Sequence, residues 1–123
     1  MVLADNHQKV IAVVRRALGE DFEVIAAVED GNQAVDAVRL LDADVLVTDI
    51  SMPVFNGLEA AKQLMEAQSR VKIVFLTIHE DTDFVAAAIS AGGSAYVTKF
   101  RLSADLVPAI REALKGHKFV SKF

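Results

Sequence analysis

Short unbroken runs of apolar residues alternate along this chain with longer stretches in which apolar residues return every three or four positions. The runs have the length of strands and are centred on Leu3, Ile25, Leu46, Val74 and Tyr96. The periodic stretches carry Val10, Val14, Ala17 and Leu18, then Ala34, Val38 and Leu41, then Leu58, Ala61, Leu64 and Met65. Val85, Ala88 and Ile89 form a fourth, and Leu106, Ile110, Ala113 and Leu114 a fifth. Returns at three and four residues place side chains on one face of an α-helix, whereas an unbroken apolar run suits a strand covered on both sides. The pattern therefore predicts five strands alternating with five helices. Strict alternation pairs strands in parallel through right-handed crossovers. The expected fold is α/β, an open doubly wound five-stranded parallel sheet.

The punctuation agrees with that order. Gly31, Gly92 with Gly93, and Gly116 fall where helices start or stop, and Pro53 and Gly57 bound the loop after Asp49. Ser103 is the expected N-cap of the last helix, with Asp105 favourable in its first turn. The first strand has only Met1 to Ala4 before a polar tip, short for a central strand, so the natural chain is expected to begin a few residues earlier.

Composition narrows the function. A chain of 123 residues, 53% of them hydrophobic, suits one domain with one sizeable core. No apolar stretch approaches the roughly 18 to 20 residues that span a bilayer, so no membrane partner is expected. There is no cysteine, which removes disulfides and thiolate metal sites, and no secretory signal pattern, so a cytoplasmic location is expected. Thirteen Lys and Arg against seventeen Asp and Glu give a net charge of -4, the wrong sign for a phosphate backbone. The one local basic excess, Lys115, His117, Lys118 and Lys122, reads as a solvated tail or linker.

The chemistry lies at the tips of the runs. Asp5 follows Val2-Leu3-Ala4, Asp49 follows Val45-Leu46-Val47-Thr48, Thr77 ends Ile73-Val74-Phe75-Leu76, and Lys99 closely follows Ala95-Tyr96-Val97. In a parallel sheet these groups converge on the rim at the carboxyl ends of the strands, where α/β folds place their reactive crevice. Two carboxylates with the amide of Asn6, a hydroxyl and an ammonium suit a hard cation such as Mg²⁺. Zinc is not expected, because His7, His79 and His117 have no ligand spacing. A carboxylate can also attack phosphorus and carry the phosphoryl group as an acyl phosphate, with cationic and hydroxyl neighbours stabilising its oxygens. Phosphohydrolases of the haloacid dehalogenase type need a second aspartate two residues after the nucleophile, and that position is Ser51. A flavodoxin-like FMN site needs a first loop that cradles phosphate through backbone N–H groups, and Asp5-Asn6-His7 places an anion there.

At these residues the chain resembles the receiver domain of two-component response regulators over essentially its whole length. The blocks are Leu3-Ala4-Asp5-Asn6-His7, Thr48-Asp49-Ile50-Ser51-Met52-Pro53 with Asn56-Gly57, Leu76-Thr77, and Tyr96-Val97-Thr98-Lys99. The branch it looks like is the LuxR/FixJ type, through Leu3-Ala4-Asp5-Asn6-His7, a lysine not followed by proline, and the closing Gly116-His117-Lys118-Phe119-Val120-Ser121. The resemblance implies a (βα)5 flavodoxin-like, CheY-like fold with strand order 2-1-3-4-5. It implies a receiver over residues 1–116 and, from 117 to 123, the start of a linker towards an output domain absent from this chain. By position it makes Asp49 the phosphoacceptor of a sensor histidine kinase. Asp5, Asn6, Asp49 and the backbone carbonyl of Ser51 become the Mg²⁺ ligands, and Lys99 the partner of the phosphoryl group. Thr77 and Tyr96 become switch residues that turn inward on activation.

Because Thr77 and Tyr96 connect the rim to them, the helix of Val85 and Ile89, the strand of Tyr96 and the helix from Ala104 to Lys115 are the expected surface of homodimerisation or docking. DNA would be reached only through a helix-turn-helix output domain. Such a domain is no enzyme, since it assists only its own phosphorylation and dephosphorylation. Ser51 and His79 flank the path of the hydrolytic water in the family's logic, with His79 otherwise a partly exposed loop histidine. Asn6 departs from the family, which usually has a second acidic residue there, and removes one of three carboxylates from the site. The alternative left open is a phosphorylation-independent pseudo-receiver acting as a protein-interaction module.

Overall fold

A computed structural model describes residues 1–123 of the chain. In chain order the elements are β1 (Val2–Ala4), α1 (Gln8–Leu18), β2 (Ala26–Val28), α2 (Gly31–Leu41), β3 (Val45–Thr48) and α3 (Gly57–Glu66). They continue with β4 (Lys72–Thr77), α4 (Thr82–Ser90), β5 (Ala95–Thr98), a single 3-10 turn at Lys99–Arg101, α5 (Leu102–Leu114) and β6 (Phe119–Val120). All strand pairs are parallel, in the order β2-β1-β3-β4-β5-β6. The order reverses between β1 and β3, which opens a crevice at their carboxyl ends.

Alternate residues of the strands point to opposite faces, and each face has its own core. Val2, Ala4, Leu46, Ile73, Phe75 and Tyr96 pack with residues of α2, α3 and α4. Leu3, Val45, Val47, Val74, Leu76 and Val97 pack with residues of α1 and α5. Being covered on both sides is what made these runs unbroken in the sequence. No helix is long and apolar enough to cross a membrane.

Three expectations are corrected. The sheet has six strands, not five, because Phe119–Val120 pairs with Ala95–Tyr96. The chain turns back at Gly116, whose φ of 83° is the left-handed backbone that favours glycine, and closes a β5 edge whose backbone groups would otherwise lack partners. Ser121 just beyond is buried, its Oγ donating to Asp105 Oδ2 at 2.7 Å and accepting from the Thr98 backbone N–H at 3.3 Å. The basic excess around it is thus docked in part, with Lys118 Nζ donating to the carbonyl of Gly93 at 3.0 Å.

The second correction concerns β2, which starts at Ala26 and leaves Ile25 exposed. As an edge strand it pairs only with β1, and its side chains are at most half-buried, so its pattern is weaker than a central run. The third concerns α5. It begins at Leu102 on the preceding 3-10 turn, with Arg101 rather than Ser103 in the cap position and no side-chain cap bond. Arg101 binds Asp105 in the first turn instead, from Nε at 2.9 Å and an Nη at 3.2 Å.

Candidate phosphoacceptor pocket

Backbone pairing brings the polar tips together. Ala4 lies beside Thr48 in β3, Thr48 beside Phe75 in β4, and Thr77 beside Thr98 in β5, so the residues that follow share one rim. The ladder continues past the strand ends, with the Asp5 N–H donating to Val28 and the Asp49 N–H to Ala4, both at 3.0 Å. The loop after Asp49 is folded back by α3. Asn56 caps that helix by accepting from the Glu59 N–H, while the Glu59 carboxylate accepts from the Asn56 N–H. Gly57 then presses against Asp49 so closely that a Cβ there would strike the Asp49 carbonyl oxygen. The glycine is required by the approach of two backbones.

Lys99 Nζ joins the two carboxylates, 2.9 Å from Asp5 Oδ2 and 3.0 Å from Asp49 Oδ2. Asp5 is 4% and Asp49 5% exposed. Burial works against the ammonium, but hydrogen bonds and charge from Asp5 and Asp49 outweigh it and hold its pKa above the ordinary lysine value. Asp49 Oδ1 accepts from the Ile50 N–H at 2.7 Å, with the Ser51 N–H further off at 3.4 Å. Two carboxylates against one ammonium leave a buried negative charge, and oxygen donors suit a hard divalent cation. The residues present therefore fit such an ion.

Asn6 is exposed, and its amide makes no hydrogen bond to this group. Its neighbour does. His7 Nδ1 lies 3.1 Å from Asp5 Oδ1, and one ligand atom each of Asp5, His7 and Asp49 falls within 4.8 Å of the others. Spacing among the three histidines does not reveal this contact, since His7 meets Asp5, two residues before it, with Asp49 near by at the end of β3. The signal was its place in the loop that leaves β1.

On the other side of the pocket Thr77 is fully buried, its Oγ1 accepting from the His79 N–H at 3.3 Å. Tyr96 points inward and is fully buried, its hydroxyl donating to the His79 carbonyl at 2.8 Å. Burial first, then the charges of Asp81 and Asp49, push its phenol up to about 12. The His79 ring lies flat on Phe84 of α4 with centroids 4.1 Å apart, and its Nε2 is 3.0 Å from Ser51 Oγ. This half-buried histidine thus links Ser51, Thr77 and Tyr96, while Ile78 is exposed.

An aspartate at the third strand end, paired to the lysine that follows β5 and backed by a strand-end threonine, suits a carboxylate that takes up a phosphoryl group. Residues 1–111 match the family model described as response regulator receiver domain. The chain belongs to that family. The receiver is 34% identical over 122 residues to the transcriptional regulatory protein DegU of Brevibacillus brevis, covering 98% of this chain and 52% of that protein. It is 34% identical over 124 residues to the response regulator UvrY of Escherichia coli strain K12, covering 98% of this chain and 56% of the relative. The chain thus spans about half the length of the curated relatives it matches.

Among solved structures, a two-component response regulator of the LuxR family from Aurantimonas sp. SI85-9A1 superposes with a TM-score of 0.90 at 31% identity, over 96% of this chain and 86% of that one. The isolated receiver domain of RcsB from Salmonella enterica serovar Typhimurium, in the presence of the phosphomimetic BeF3⁻, gives 0.87 at 28% identity, over 98% and 91%.

Proposed function

We propose that this receiver is a phosphorylation-dependent cytoplasmic switch with Asp49 as phosphoacceptor. The observation that carries the reading is the ammonium of Lys99 shared between buried Asp5 and Asp49. An oxygen of Asp49 attacks the phosphorus of a phosphohistidine on a sensor kinase, the N–P bond breaks with its electrons going to the imidazole, and an acyl phosphate forms. Lys99 then pairs with the phosphoryl oxygens, and the Thr77 hydroxyl hydrogen-bonds to them once it turns from the His79 N–H. Asp5, Asp49 and the backbone carbonyl of Ser51 would hold Mg²⁺. When bound, the ion supplies positive charge against the phosphoryl oxygens. The protein catalyses nothing beyond its own phosphorylation and dephosphorylation.

The output follows from the contacts of Thr77 and Tyr96, both of which end at His79, whose ring leans on α4. Freeing Thr77 changes what holds Tyr96 and α4. Phosphorylation shifts the population between two arrangements only by its differential affinity for them. The surface that reads this shift includes α4, β5 and α5, and we assign to it dimerisation or docking. The LuxR-family and transcriptional names of the relatives support a DNA-binding output domain in the complete protein.

Intact-mass measurement after incubation with acetyl phosphate and Mg²⁺ should show one phosphoryl adduct, absent in Asp49→Asn. No adduct at any Mg²⁺ concentration would make the domain a pseudo-receiver.

A further inference from the structure

We propose that Thr98 is a positioning residue of the switch, whose hydroxyl takes over the His79 backbone N–H when Thr77 turns to the phosphoryl group. The proposal rests on the reading of Asp49 as phosphoacceptor and names the residue that completes the movement of Thr77. Thr98 closes β5 and is fully buried, yet its Oγ1 is the one buried side-chain oxygen or nitrogen without a hydrogen-bond partner. An unpaired buried hydroxyl destabilises the arrangement that leaves it so. Two ordinary roles do not account for it. Thr98 stands in the cap position of the 3-10 turn at Lys99–Arg101 but makes no side-chain cap bond, and it is the backbone N–H of Thr98, not the hydroxyl, that meets Ser121.

The sheet places a use for this hydroxyl beside it. Thr98 lies opposite Thr77 in the parallel register of β4 and β5, where neighbouring strands run about 4.8 Å apart. Leu76 and Val97, the residues before them, belong to the core on the α1 and α5 side, so both threonines face the side of α4. On that face the His79 backbone bridges the two strands, its N–H donating to Thr77 of β4 and its carbonyl accepting from Tyr96 of β5. At rest Thr77 Oγ1 holds the N–H by a long bond of 3.3 Å, and Thr98 Oγ1 holds nothing. Once Thr77 Oγ1 turns to a phosphoryl oxygen, the N–H loses its acceptor and the hydroxyl on the next strand receives it. The hand-over pairs a group that rest leaves unpaired, so it biases the two arrangements toward the phosphorylated one. His79 carries its ring with it, and hence the contact with Phe84 of α4.

Affinity for beryllofluoride with Mg²⁺ and amide exchange at His79, both measured on the full chain, provide the test. Thr98→Val removes the unpaired hydroxyl with little change of shape. The denaturant midpoint without beryllofluoride should therefore rise, while beryllofluoride affinity falls about tenfold, close to the worth of one hydrogen bond. A threonine that only fills space would shift the free and bound forms alike. Thr98→Ser should keep the affinity within twofold of wild type. In a Thr77→Val background no N–H changes hands, so adding Thr98→Val should change the affinity less than twofold. On binding beryllofluoride, the His79 amide should stay protected in wild type and exchange faster in Thr98→Val. Equal affinities of wild type and Thr98→Val overturn the proposal, as does a His79 amide that exchanges alike in both bound forms. A wild type that binds no beryllofluoride fails earlier, at the phosphoacceptor reading, and removes both.

Discussion

Val54 sits in the loop after Asp49 with φ of 68°, the only β-branched residue of this chain with a positive φ. Two branches on Cβ crowd the following carbonyl in that conformation, at a cost of roughly 1 to 2 kcal/mol or more. The side chain is 85% exposed and so recovers little by packing. The strain is held in place by the folded loop, where the Phe55 N–H donates to the Pro53 carbonyl at 2.7 Å and the Phe55 carbonyl accepts from the Gly31 N–H at 2.7 Å. Val54→Asn keeps a side chain while tolerating the left-handed region, and should raise unfolding free energy by about 1 kcal/mol. A denaturant midpoint equal to or below that of wild type would show that the loop relaxes around valine.

At the scale of elements, Ser121 ties the end of β6 to β5 and α5. Ser121 accepts from Thr98, donates to Asp105 and gives its backbone N–H to the Tyr96 carbonyl at 2.9 Å. Its partner is itself fixed, since the hydrogen bond from Arg101, opposed by burial and helped by Ser121, holds the Asp105 carboxyl below its ordinary value. Ser121→Ala leaves the buried Thr98 N–H without its partner and Asp105 Oδ2 with Arg101 alone, and should cost about 1 to 3 kcal/mol. Hydrogen exchange should quicken at the Phe119 and Ser121 amides while β3 keeps its protection. Unchanged exchange at Ser121 would mean that backbone pairing alone holds the strand. None of this was legible in the sequence, because a two-residue strand has no periodicity and a basic, glycine-flanked tail resembles a linker. The strand–helix pairs of β1, β3, β4 and β5 were legible, since burial on both faces writes itself as unbroken apolar runs, whereas the half-buried edge strand β2 was only roughly located. So were Asp5, Asp49, Thr77 and Lys99, because strand tips in a parallel sheet meet without any need to know the loops. His7 and the links of His79 depend on loop paths and rotamers, which no spacing rule encodes.

For the molecule as a whole, Tyr96 offers a reporter, being the only tyrosine in a chain without tryptophan. Its folded pKa of about 12 lies above the ordinary 10, so its contribution to stability is complete below pH 10 and is lost as pH rises through about 12. Phenolate absorbance should titrate near 12 in the folded domain and near 10 in denaturant, with unfolding setting in between those values. A folded-state midpoint at the ordinary value would mean that the ring spends its time outside the core. The direction of β6 has a different consequence. A parallel sixth strand delivers the backbone to the same end of the sheet as the other five, beside Thr98 and hence next to Lys99. A polypeptide continuing past β6 would therefore set out from the Asp49 side of the sheet. On the proposed function, anything tethered beyond β6 and a kinase approaching Asp49 would share one side of the sheet, so crowding there, quite apart from any change of shape, would couple what the chain carries to how readily Asp49 is reached.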